Sequence, residues 1–516
     1  MLTANIFQNL FSLQTLIALI IGVVGGMFIG ALPGLGATMG IALLIPMTYD
    51  MDTTAALIML TAIYTSAIYG GSITAILIHT PGTPASAATA MDGFALTERG
   101  EGLRAVGMST VGSMIGGTLS AVALLLIAPP LAQFSLRFNA PEYFLLAIFG
   151  LTIIGSLAAD NLLKGLLSGV FGLCLALVGY DIMYGIPRFH YGITALTSGI
   201  QTVPALIGLF SLSQVLIQAE KLNIKGESFT KADVDSMNLS GQFLPTRREM
   251  VHLIPNFIRS AVIGCIIGIL PGAGGDIGGW VSYDFAKRSS KHPEKFGHGS
   301  IEGICASETA NNAVTGGSLI PLLTLGIPGS SAAAVLLGGL TIHGLTPGNA
   351  MFTVKADITY AIILGFMLAN ILMGITGIAI AKYVVKVVRV PNRVMAPIII
   401  VLSVVGAYAI NKSFVDVCVM TAFGIVGYYM RKTGFPTAPV VLGLILGSTA
   451  EQGLLRSITM AKDTPLFIYY VTRPICVVLF ALILFSLFAP IIIKTLTKKA
   501  NIGNLADSGA DENSDD

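Results

Sequence analysis

Charge is what this sequence has least of. Asp, Glu, Lys and Arg make up 11% of its 516 residues, against about 25% in soluble domains. The mean hydropathy is +0.81, so a row of soluble domains is excluded and one polytopic membrane domain is expected. A net charge of +2 gives no basis for a nucleic-acid partner. The five cysteines (Cys174, Cys265, Cys305, Cys418, Cys476) stand singly, without a Cys-x-x-Cys, and read as small core residues rather than metal or disulfide partners. Neither a Walker Gly-x-x-x-x-Gly-Lys-[Ser/Thr] loop nor a His-Glu-x-x-His is present, which removes two enzyme classes. An intramembrane aspartyl protease fails on detail. Ala273 stands where its acidic motif needs glycine, and Pro204-Ala205-Leu206 precedes that motif instead of following it. No enzyme and no resident cofactor are expected. The apolar run from Leu13 to Ile29 lacks a basic leader and a small-residue cleavage site, so it reads as a first span.

Long apolar runs are what the sequence has instead. Several approach the roughly 20 residues that cross a bilayer, and the pattern predicts an all-α polytopic membrane protein of about 12–15 helical segments. Residues 219–253 form a polar connector carrying Lys221, Lys225, Lys231, Arg247 and Arg248. This predicts an N-terminal repeat over 1–218, a cytoplasmic connector over 219–253, a C-terminal repeat over 254–499 and a disordered acidic tail over 500–516.

The two halves share their interruptions. Leu32-Pro33-Gly34-Leu35-Gly36 returns as Leu270-Pro271-Gly272-Ala273-Gly274, and Pro81-Gly82 returns as Pro328-Gly329. A broken helix leaves backbone N–H and C=O groups unpaired, which is tolerated at membrane depth only under protein or around water. Matched breaks in two halves point to a transporter's binding site. Further matches in order are Gly70-Gly71-Ser72 with Gly316-Gly317-Ser318, Pro141 with Pro391, and Gly179-Tyr180 with Gly427-Tyr428. Basic residues follow the first break only in the second half (Lys287, Arg288, Lys291, Lys295), whereas Arg99 and Arg104 follow the second break in the first half. Lys382, Lys386, Arg389 and Arg393 are then matched only by Arg137. Because Lys and Arg mark cytoplasmic loops, equivalent loops lie on opposite sides, as in an inverted repeat.

The second pair of breaks predicts two re-entrant hairpins, over 72–93 and 319–347, with their tips at membrane depth. Helix N-termini beyond the tips offer free N–H groups to an anion. The substrate candidates there are Thr80, Pro81, Gly82, Thr83 and Ser86 in one tip and Pro328, Gly329, Ser330 and Ser331 in the other. A kinked, packed helix is the structural alternative. Asn311 and Asn312 join the substrate candidates, since adjacent amides inside a span face a cavity or pathway. Glu308 is either a cation or proton site or a helix-end residue. Asp276 is either an ion ligand or an N-cap, and Thr38 is its match in the first half. With Gly34, Gly36, Gly272 and Gly274 these form the coupling-ion candidates, with Na⁺ as a possible ion. Lys164 sits near a span end and can snorkel, and His79 and His343 are isolated.

Gly30-Ala31-Leu32-Pro33-Gly34-Leu35-Gly36 and His79-Thr80-Pro81-Gly82-Thr83-Pro84 resemble the large membrane subunit of tripartite tricarboxylate transporters. So do Arg188-Phe189-His190-Tyr191-Gly192 and Gly434-Phe435-Pro436-Thr437-Ala438-Pro439 running on to Glu451 and Arg456. The resemblance covers nearly the whole chain in order. It implies a bacterial inner-membrane permease that works with a small membrane subunit and a periplasmic solute-binding protein. It further implies carboxylate uptake driven by a Na⁺ or H⁺ gradient. A self-sufficient carboxylate carrier and a non-transporting scaffold or receptor are the other readings.

Overall fold

Glycine at every fourth position lets two helix backbones touch, and this sequence does so twice. Gly22, Gly26 and Gly30 line one face of an early helix, and Gly264 and Gly268 line a face of its later counterpart. In the computed structural model each face lies directly on the backbone of a buried helix. The structure describes residues 4–487 apart from 33–34, 158–161, 182–184, 225–242, 271–273 and 388–391.

The first half comprises α1 (Ala4–Leu10), α2 (Leu13–Ala31), α3 (Ala37–Leu44), α4 (Thr53–Ile78), α5 (Ala87–Glu98) and α6 (Gly102–Phe134). It continues through α7 (Ala140–Leu157) and α8 (Leu162–Ala176), a two-residue β pair (β1 Gly179–Tyr180, β2 Pro187–Arg188), α9 (Thr202–Leu206), a π turn and α10 (Ser213–Ile224). The second half comprises α11 (Arg247–Ile269), α12 (Gly274–Ser289), α13 (Ile301–Leu325), α14 (Ser331–Ile342), α15 (Asn349–Thr353) and α16 (Ala356–Val387). It ends with α17 (Asn392–Asn411), α18 (Phe414–Lys432), α19 (Ala438–Ala461), α20 (Leu466–Val471) and α21 (Pro474–Leu487). The fold is all-α. Among the described residues, eight helices are long and apolar enough to cross a membrane, and six shorter apolar helices accompany them.

Two helices form the interior. α4 is buried from Thr54 to Ile78, and α13 from Gly303 to Thr324. Such all-round burial is what an apolar helix without a polar face requires. α2 crosses α4, where a Cβ on Gly30 would lie 2.0 Å from the Ala67 carbonyl oxygen. α11 crosses α13 the same way, with Gly268 held 2.5 Å from the Val314 oxygen by that measure. Small residues permit this approach, which maximises dispersion contact where no hydrophobic drive separates helix from lipid. α6 and α16 run antiparallel, with Thr110, Met114 and Gly117 meeting Gly377, Gly374 and Asn370 in turn.

These contacts shift one motif match. Gly70 lies on the Met27 carbonyl and Gly317 on the Cys265 carbonyl, so Gly70 is matched by Gly317, one residue beyond the sequence pairing with Gly316. Gly179-Tyr180 belongs to the β pair, whereas Gly427-Tyr428 lies within α18, so that match is coincidental. Pro391 lies outside the described residues. The basic residues Arg247 and Arg248 open α11 behind a Thr246/Glu249 capping box, a pattern that satisfies two free N–H groups reciprocally. Of the cysteines, Cys265, Cys305 and Cys476 are buried, but Cys174 and Cys418 are exposed on helix surfaces, so only three are core residues.

Candidate functional site

At each second break a long central helix ends and a short helix follows, α5 after the first tip and α14 after the second. α4 runs unbroken to Ile78 and α13 to Leu325, and each then turns at a left-handed residue, His79 (φ 53°) or Gly326 (φ 73°). The Thr80 N–H donates to the Thr74 carbonyl and the Ile327 N–H to the Pro321 carbonyl, a closure one residue wider than the six-to-one bond of a Schellman cap. The returning limb is extended rather than helical. It carries Gly82 back until its N–H donates to the Gly71 carbonyl at 3.1 Å. Here glycine is obligatory. A Cβ on Gly82 would stand 2.1 Å from the Gly30 carbonyl oxygen, and one on Gly329 would stand 2.1 Å from the Gly268 oxygen. Proline one residue earlier fits because it has no N–H to leave unpaired.

The first breaks sit on these tips. The Cβ position of Gly36 is 3.9 Å from Thr83 Cγ2, and that of Gly274 is 3.8 Å from Ser330 Cβ. α12 also crosses to the other tip, where Gly279 lies 3.3 Å from the Ala85 oxygen by the same measure. The structure thus brings Gly36, Gly82 and Thr83 together, and Gly274, Gly329 and Ser330 together. Thr83 Oγ1 bonds Ser86 Oγ at 2.9 Å. Ser330 caps α14 through the Ala333 N–H at 3.2 Å and bonds Tyr64 Oη at 2.7 Å. Ser331 is half-buried in the first turn of α14, Pro328 is buried, and Pro81 and Thr38 are half-buried. Thr80 turns its hydroxyl to the Ile78 carbonyl. Gly34 and Gly272 lie outside the described residues, as does the side chain of Asp276 within α12. His79 stacks on Phe94 at 4.5 Å, and Lys164 reaches the Thr433 carbonyl at 2.6 Å.

Asn311 is 1% exposed, yet among the described residues neither its amide oxygen nor its nitrogen has a hydrogen-bond partner. Asn312 donates to the Ser113 carbonyl at 3.2 Å, while its oxygen is unpartnered. The hydroxyls of Ser66 and Ser318 are also buried and unpartnered. Native interiors pair nearly all such groups. These unpaired groups lie on the two central helices, α4 and α13.

Glu308 is completely buried within a cage of hydroxyls, not at a helix end. Thr89 of α5 donates to one carboxylate oxygen at 2.5 Å, and Ser113 and Ser109 of α6 donate to the other at 3.0 and 3.3 Å. Sequence reasoning missed these hydroxyls; Ser109 and Ser113, one turn apart on α6, were the available signal. It also missed Asp92 on α5, whose Oδ1 accepts the N–H groups of Gly297, Gly299 and Ser300 at 2.8, 2.9 and 2.8 Å. Among the described residues, no group of three His, Cys, Asp or Glu side chains is placed to hold a metal ion.

An all-α, multi-pass membrane protein with two interior chain breaks and buried polar groups on its central helices has the build of a carrier. The chain belongs to the Tripartite tricarboxylate transporter TctA family, which it matches over residues 16–442. That makes it a large membrane subunit in a transport family. It is 37% identical over 462 residues to a protein of Agrobacterium vitis described as an uncharacterized 52.8 kDa protein in the TAR-I ttuC' 3' region, covering 89% of this chain and 90% of that one. A second Agrobacterium vitis protein, described as an uncharacterized protein in the TAR-II ttuC' 3' region, is 36% identical over 220 residues, 42% of this chain and 90% of that one. No solved structure matches.

Proposed function

We propose that the chain is the permease of a secondary transporter that imports tricarboxylates or related carboxylates across the bacterial inner membrane. A periplasmic solute-binding protein supplies the substrate, a small membrane subunit completes the assembly, and a Na⁺ or H⁺ gradient drives uptake. The observation that carries this reading is Asn311, buried within α13 with an amide unpaired among the described residues. An unpaired buried amide costs roughly 1–3 kcal/mol, and a polar substrate would supply the missing partners.

The halves are taken as an inverted repeat: α2, α3, α4 and α5 correspond to α11, α12, α13 and α14. Basic residues flank the polar stretch 219–253, with Glu220 bonding Lys432 at 2.6 Å and Arg104 pairing with Glu249. The preference of Lys and Arg for the cytoplasmic side assigns that end inward. Glu308 serves as the coupling carboxylate. Among the described residues it has hydroxyl partners but no basic one, an environment suited to a proton or to Na⁺ with oxygen ligands.

Uptake of labelled citrate into proteoliposomes, with and without the binding protein and small subunit, tests the proposal. Accumulation that requires both partners and a gradient is expected. Accumulation without them would make the chain a self-sufficient carrier, and binding without any accumulation would make it a receptor.

A further inference from the structure

A polar concavity lies away from the tips, where α19 crosses the start of α7. Gly453 of α19 packs so closely on the α7 backbone that a Cβ there would stand 2.9 Å from the Phe144 nitrogen and 3.0 Å from the Ala140 oxygen. Beside this crossing is a cavity of about 350 Å³ lined by Asn139, Tyr143, Thr449, Gln452 and Arg456 among others. That size lies in the range of small-molecule sites, roughly 300–1,000 Å³. Thr449, Gln452 and Arg456 are spaced at three and four residues, so all three face the cavity from one side of α19.

The charge balance singles out Arg456. The neighbouring carboxylates are already engaged: Arg473 holds Glu142 at 2.6 and 3.0 Å. Arg188 holds both Glu451 at 2.7 Å and Asp181 at 3.0 Å. Arg456 has no carboxylate partner among the described residues. A guanidinium presents a planar fork that binds carboxylate through two parallel hydrogen bonds, and the amide, hydroxyl and phenol around it offer further donors. The opposite end of α19 begins beside Lys164, Arg431 and Lys432. Arg456 therefore sits at the end away from the basic connector, the face at which an imported anion arrives.

We propose that this cavity is a receiving site for the carboxylate substrate, in which Arg456 binds one carboxylate group before the molecule passes to the interior site. The inference rests on the transport reading above. It is tested by equilibrium binding of labelled citrate, and in parallel succinate, to the purified full chain in lipid nanodiscs. The wild type should show two sites. Arg456→Gln should remove one of them or weaken it about ten-fold or more, as loss of a charge-assisted bond does, and Arg456→Lys should restore part of it. Asn311→Ala should remove the other site and leave the Arg456-dependent one. An Arg456→Gln isotherm that matches the wild type would overturn the proposal. So would unchanged citrate binding together with lost capture of the binding protein, since Arg456 would then be a protein-docking contact. Arg456-dependent binding without any uptake by the complete assembly would instead sink the transport reading and leave this site standing.

Discussion

Tyr64 and Ser330 share a hydrogen bond of 2.7 Å that ties the central helix of the first half to the tip of the second. Asn311 and Thr83 would be the corresponding pair under the proposed repeat, and they share no such bond. Thr83 bonds Ser86 within its own tip, and the Asn311 amide is unpartnered. One tip is thus tied to the opposite central helix, while the other bonds within itself and leaves the Asn311 amide with nothing to satisfy it. Asn311→Leu, nearly the same size and without the amide, should raise thermal stability while reducing uptake at least ten-fold, because removing an unpaired buried polar group relieves a cost of about 1–3 kcal/mol. Tyr64→Phe should do the reverse, lowering the melting temperature while uptake stays within a few-fold. Melting of the purified variants alongside proteoliposome uptake checks both signs; an Asn311→Leu variant that transports normally removes Asn311 from the site.

Gly82 and Gly329 should be equally intolerant of a side chain. Each would drive a Cβ to 2.1 Å from a carbonyl oxygen of the crossing helix, and overpacking of this kind costs roughly 1–3 kcal/mol or more. Alanine at either position should reduce the yield of monodisperse protein in size-exclusion chromatography. Gly25 supplies the contrast, because a Cβ there meets nothing within 4 Å. Gly25→Ala should be neutral or stabilising by about 0.5–1 kcal/mol.

Glu308→Gln keeps the side-chain volume and a hydrogen-bond acceptor for Thr89, Ser109 or Ser113, but can neither release a proton nor offer charge to a cation. Exchange of internal for external substrate should persist, while gradient-driven accumulation should be lost. Counterflow and net uptake measured on the same proteoliposomes separate the two. Equal loss of both would give Glu308 a structural role, and retention of both would remove it from coupling.

The interruptions were legible because proline and glycine write backbone geometry directly into sequence. Pro81-Gly82 and Pro328-Gly329 located the tips, and Pro33-Gly34 and Pro271-Gly272 located the breaks packed on them. The shape of the tips was less legible. The sequence has no sign that α4 continues to Ile78, since an apolar run reads alike as one long helix or as a helix followed by an arm. The repeat register slipped by one at Gly70 because runs of small residues align almost equally well in adjacent frames. The Glu308 cage was hidden for a different reason. Serine and threonine are ordinary on membrane helices, and only tertiary packing brings Thr89, Ser109 and Ser113 from two helices to one carboxylate.

Asp92 shows how the first tip is anchored to the second half. A single carboxylate oxygen accepts three backbone N–H groups, from Gly297, Gly299 and Ser300, in the loop that leads into α13. Gly297 and Gly299 both have positive φ (86° and 98°), which curls the loop so that its N–H groups converge on one point, as in an anion-binding nest. This charge-assisted contact joins α5, the arm that carries Thr89, to the helix that carries Glu308. Asp92→Asn replaces the charged acceptor with a neutral one that cannot take three donors equally well, at a cost of about 1.5–3 kcal/mol. The amides of residues 297–300 should then exchange with deuterium faster than in the wild type, while those in the middle of α13 remain protected. Uptake should fall with the loss of this anchor, because the arm that positions Thr89 on Glu308 would no longer be held. Unchanged exchange at 297–300 would show that the carboxylate contributes nothing to the loop.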